Sequence, residues 1–132
     1  MEATQLIALG KSAEKSLESL LEELRKVKKL GYLHIFQYGV DSHPLKGSQE
    51  RFVRYLLAQA QMTTKDFYEE VKKQNSWRSH YSNPAFTLKS IEILVNQLET
   101  IDLDGDLTAV VTIVENIGNN LHLHVNEFEQ LK

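Results

Sequence analysis

The chain of 132 residues contains no cysteine. That excludes disulfides, thiolate metal sites and cysteine nucleophiles together, and it suits a reducing compartment. Proline is nearly absent as well, with only Pro44 and Pro84. No apolar run approaches the ~18 residues that a membrane span needs. The segment Met1 to Lys11 is too polar for a signal peptide. A cytoplasmic protein without a membrane partner is therefore expected. Basic residues are not in excess: 15 Lys and Arg face 18 Asp and Glu, for a formal net charge of −3. No glycine-rich phosphate loop, nucleophile elbow or paired-carboxylate motif occurs, so no enzyme chemistry is expected and no cofactor is implied.

What is present is ordinary globular material. Apolar residues make up 42% and charged residues 25%, and the length fits one domain spanning 1–132. A chain of this size buries roughly two-thirds of its unfolded surface. Charge is distributed unevenly. Residues 1–45 balance six basic against six acidic groups, 46–80 carry seven against four, and 81–132 carry two against eight. The acidic last third argues against a general nucleic-acid surface. The middle segment leaves room for a local basic patch.

Periodicity points to helices. Leu6, Gly10, Ala13, Leu17, Leu20, Leu24 and Val27 step by four and three, the signature of one buried helical seam. A helix from about Leu6 to Leu30 follows. Tyr32 to Tyr38 is rich in aromatic and β-branched residues and reads equally as the continuation of that helix or as a short strand. Gly39 to Gly47 reads as a loop. Ser48 is placed to cap a second helix, and Thr63 followed by Asp66 to open a third. Asn75 to Phe86 is a polar-aromatic loop, and Thr87 to Ile101 a further helix. Asp102 to Asp106 is an acidic turn.

The last segment has two readings. Leu107, Val110, Val114, Ile117, Leu121, His124, Phe128 and Leu131 keep helical spacing, which predicts a helix from about Asp106 to Gln130. The alternative is a C-terminal β-hairpin at 108–126, in which Val110–Val114 and the alternating Leu121-His122-Leu123-His124-Val125 pair across Gly118-Asn119-Asn120. The expected fold is all-α, a four- to five-helix bundle, with an α+β domain as the alternative.

Two short resemblances bear on function. His43-Pro44-Leu45-Lys46-Gly47-Ser48 resembles the His-x-Leu-Lys-Gly-Ser core of histidine phosphotransfer domains. By that resemblance His43 would accept phosphate and Lys46 would stabilise it. In that family the histidine lies mid-helix, a position that Pro44 opposes. Residues 52–101 resemble, in outline, helix-turn-helix domains of phage-repressor type. Thr63-Thr64 would open a helix and Asn83-Pro84 would lead into the last one. Ser76 to Ser82 would then face DNA, with Arg78 and His80 at base edges and Arg51, Lys65, Lys72 and Lys73 near phosphates.

Metal chemistry has little support. His34, His43, His80, His122 and His124 show no i,i+4 pair and no Glu-x-x-His pattern. Asp102, Asp104 and Asp106 alternate as an EF-hand loop begins, but Gly105 falls fourth instead of sixth and the twelfth position is Ile113. An acidic turn before a helix N-terminus is the stronger reading. The expected function is a non-catalytic protein-protein interaction or regulatory module, possible as a homodimer built on the first or last helix. Small residues at Gly10 and Ala13 allow a close approach by a helix of the same chain or of a second copy. The interface candidates are Trp77, Arg78, Tyr81 and Phe86, because Trp, Tyr and Arg dominate binding hot spots. Trp77 reads equally as the residue that closes the end of the bundle.

Overall fold

The computed structural model describes residues 3–38 and 47–131, with side chains described for 3–27 and 48–131. Four α-helices run through these residues: α1 (Ala3–Tyr38), α2 (Gly47–Lys73), α3 (Pro84–Glu99) and α4 (Leu107–Glu129). A single 3-10 turn, Arg78–His80, lies between α2 and α3. The domain is all-α. The C-terminal hairpin does not form, and neither does a strand at 32–38. Both segments are helical, and in 108–126 the seam spacing outweighs the local β propensity.

The helices form a ring in which α1 packs beside α2 and α4, and α3 beside the same two. Pairings along their lengths show the directions. Lys11, Glu14 and Arg25 of α1 reach Glu129, His122 and Glu115 of α4, so α1 and α4 are antiparallel. Gln61 and Tyr68 of α2 reach Leu98 and Glu92 of α3, so α2 and α3 are antiparallel too. This is up-down-up-down topology. The whole predicted seam of α1 is buried, from Leu6 to Val27, and so is the α4 seam at Leu107, Val110, Val114, Ile117, Leu121 and Phe128. His124 is half-buried at the seam's edge, and Val125 takes the inner position beside it.

The expected break between a second and a third helix does not exist. Thr63 donates its hydroxyl to the carbonyl of Gln59 four residues earlier (2.9 Å), so it is satisfied without leaving the helix. Thr64 is fully buried. The chain therefore runs as one helix of 27 residues.

Real helix ends are marked by side chains. The Asn83 carboxamide oxygen accepts from the Phe86 amide (3.1 Å), and Pro84 takes the first helical position of α3. At its other end the Gln61 amide donates to the Leu98 carbonyl (3.0 Å). The acidic turn works as expected of a helix entry. Asp102 accepts from the Asp104 amide (3.0 Å), and Asp106 caps α4 by accepting from Thr108 (2.9 Å). Asp104 reaches back to Arg54 of α2 at 3.0 Å.

Candidate interaction surface

The four interface candidates from the sequence fall into two places. Trp77 is 1% exposed. Its indole N–H donates to the Val71 carbonyl (2.9 Å), and the Arg78 guanidinium donates to the Lys72 carbonyl (3.1 Å). These are two of the last carbonyls of α2, which have no partner inside the helix. Trp77 and Arg78 thus terminate α2, with the Arg78 guanidinium carbon 5.2 Å from the indole centroid. Tyr81 packs edge-on against Trp77 (5.3 Å), and Phe128 meets Trp77 (5.6 Å) and Phe67 (5.9 Å). Four rings close this end of the bundle. Burial pushes the Tyr81 hydroxyl up to about 12, and nearby Glu127 adds to the shift. Phe86 stands apart on the first turn of α3 and is 66% exposed.

His43 and Lys46 lie outside the described residues, so the phosphotransfer resemblance has no geometry here. The helix-turn-helix resemblance needs a turn after Ala60, and α2 is continuous there. Ser76 to Ser82 forms a bend with one 3-10 turn, not a recognition helix. Arg51, Lys65 and Lys72 are all exposed on α2, and their spacing puts them within about 60° of one another around the helix. Asp66 and Glu69 lie among them, and Arg54 is held by Glu50 and Asp104 at 3.0 Å each. Among the described residues, no three His, Asp or Glu side chains gather to hold a metal ion.

Between α1 and α4 runs an open cleft of about 340 Å³, floored by Leu17, Leu21 and Val114. Polar ties bound it at both ends: His122 Nδ1 lies 2.6 Å from Glu14, and Arg25 donates to Glu115 at 3.0 Å. A Cβ on Gly118, which lines this cleft, would meet nothing within 4 Å.

The outer surface of α4 differs from the rest of the molecule. Between Leu107 and Asn126 the only charged residue is Glu115, and it turns toward α1 to pair with Arg25. None of the ten exposed positions in that stretch carries a Lys, Arg, Asp or Glu side chain. On α2, by contrast, Arg51, Arg54, Lys65, Asp66, Glu69, Lys72 and Lys73 are all exposed, interspersed with exposed Phe52, Tyr55 and Met62. On α3 the exposed charged residues are Lys89 and Glu99. Glu92 there accepts from Lys89 of its own helix (3.0 Å) and from Tyr68 of α2 (2.9 Å), which hold its carboxyl below the usual range.

Large apolar side chains stand out from α3 and α4: Phe86 (66% exposed), Ile93 (45%), Ile113 (41%) and Leu123 (58%). Of these, only Phe86 is an interface candidate from the sequence. The available signal was a second stripe on the last helix, offset from the buried seam, in Ala109, Ile113, Asn116, Asn120 and Leu123.

No helix among the described residues is long and apolar enough to cross a membrane. Comparison with protein-family models, with curated proteins and with solved structures finds no match to this chain.

Proposed function

We propose that this protein is a non-catalytic protein-protein interaction module that acts by presenting the outer face of α3 and α4 to another protein. The observation that carries the reading is the stretch from Leu107 to Asn126, whose exposed positions lack charge while Ile113 and Leu123 project from them. Depletion of charge at an apolar centre is what distinguishes the core of a binding interface from ordinary surface. Within this reading Phe86 and Ile93 belong to the docking face. Trp77, Arg78 and Tyr81 support it from beneath, by fixing the turn that leads into α3. The absence of cysteine favours a cytoplasmic setting, and a homodimer is one form the interaction takes.

A photo-crosslinking side chain placed at Leu123 in the native host tests this, with one at Lys65 on α2 as the comparison. The expected result is a discrete set of adducts at position 123 that excess unlabelled protein competes away and that Ile113→Glu in the same chain abolishes. Equal, non-competed background at both positions would remove the reading. A DNA-binding function is the second reading, carried by exposed Arg51, Lys65 and Lys72 on α2. The acids interleaved with them weaken it.

A further inference from the structure

We infer that the partner for this face is a second copy of the chain, paired antiparallel through the outer stripe of α4. The inference rests on the docking face proposed above and identifies its occupant.

The stripe consists of Ala109, Ile113, Asn116, Asn120, Leu123 and Glu127, all exposed. Successive steps of four, three, four, three and four residues are the spacing of a coiled-coil seam. This seam is separate from the buried one that holds α4 in its own bundle. Reversed end for end about the level of Gly118, it superposes on itself in residue type as well as in spacing. Ile113 falls opposite Leu123 of the second copy, and Asn116 opposite Asn120. Ala109 falls opposite Glu127 at the rim, where the carboxylate keeps its water. A twofold axis repeats each pair, giving two aliphatic contacts and two amide contacts.

The chemistry matches a neutral, self-complementary partner. Each Asn side chain both donates and accepts, so Asn116 and Asn120 satisfy one another across the axis without help from another residue type. A charged partner face would bury its ions here unpaired, whereas the one charge of this stripe, Glu127, lies at its rim. Ala109 and Ile113 also border a groove of about 370 Å³ shared with Gln97 of α3 and with Ile101, Asp102 and Asp106 of the turn that follows it. The Leu123 opposite Ile113 enters that groove, which gives the exposed leucine a pocket and draws α3 into the contact. The stripe from 109 to 127 is roughly 27 Å long at the rise of an α-helix.

Because the chain has no cysteine, thiols can be introduced without background. In an antiparallel seam, the double variant Ile113→Cys with Leu123→Cys should oxidise rapidly to a disulfide-linked dimer. Either single variant should not, because like positions lie about 15 Å apart along the axis. Sedimentation equilibrium of the unaltered chain should show a reversible dimer in the micromolar range. Leu123→Glu should weaken it at least about 100-fold with helicity unchanged by circular dichroism.

Crosslinking of the single variants would overturn the antiparallel arrangement, and a dimer indifferent to Leu123→Glu would place the interface elsewhere. A monomer up to hundreds of micromolar overturns self-pairing. If the position-123 photo-crosslinks then lead to a different protein, the docking face stands and only its occupant changes. If neither appears, both readings fall.

Discussion

A Cβ atom on Gly10 would stand 2.5 Å from Val125 Cγ2 and 3.1 Å from the Phe67 ring, so α1 crosses α4 at a distance that only glycine permits. Gly118 on α4 has no such neighbour. The two glycines should therefore respond oppositely to the same change. Gly10→Ala gains helix propensity but drives a methyl into Val125, for a net loss of up to about 2 kcal/mol, and Gly10→Val should lose more. Gly118→Ala should gain about 0.5–1 kcal/mol. Urea denaturation midpoints of the variants check both signs.

The small residues of the α1 seam are thus accounted for within one chain. Ala13 is fully buried, so Ala13→Glu should unfold the bundle instead of separating two copies, and loss of far-UV helicity would show it. Leu20 and Leu98, at 0% and 1% exposed, lie at the centres of their stripes. Their replacement by alanine should each cost about 2–5 kcal/mol in urea melts.

Trp77 should matter for stability more than its loop position suggests. Trp77→Phe keeps most of the ring volume but strands the Val71 carbonyl, at a cost of about 1–3 kcal/mol. Trp77→Ala also empties the space against Phe128 and Tyr81, for about 3–5 kcal/mol. Comparing the two denaturation curves separates the hydrogen bond from the packing.

His124 sets a pH dependence. It is half-buried, its Nδ1 meets no partner among the described residues, and burial lowers its pKa below the ordinary value of 6.5 while Glu127 opposes the shift. In the window between the lowered value and 6.5 the unfolded chain binds the proton and the folded chain does not. Stability therefore rises with pH through that window and is lost as pH falls through it. Urea midpoints should decline below about pH 6.5, and His124→Gln should flatten the decline.

Much of the fold was legible because a buried seam leaves an i, i+3, i+4 record in the sequence. Leu6 to Val27 and Leu107 to Phe128 carry it without interruption. The misreadings have specific causes. Leu121-His122-Leu123-His124-Val125 alternates like a strand only because Leu123 is an apolar residue on the outside of the helix, while Leu121 and Val125 point inward. Thr63 has the look of a cap, and its hydroxyl is satisfied by Gln59 four residues back, a bond that cannot be inferred from residue type. Trp77 met the description of a hot spot. That the end of α2 needed a donor at Val71 becomes visible only when the helix boundary at Lys73 is known. The exposed stripe of α4 was in the sequence too, beneath the stronger signal of the buried seam.

Three of the four helix contacts join neighbours along the chain; only α1 with α4 joins its two ends. The hairpins α1/α2, α2/α3 and α3/α4 close short loops, at a modest entropic cost. Docking of α1 on α4 must gather segments more than one hundred residues apart in sequence, with Gly10 and Val125 at the closest point. Contacts of that range form late on the folding path. Crowding the Gly10 crossing should therefore speed unfolding while leaving the folding rate nearly unchanged. The lifetime of the folded chain, more than its rate of formation, is set where the ring of helices closes.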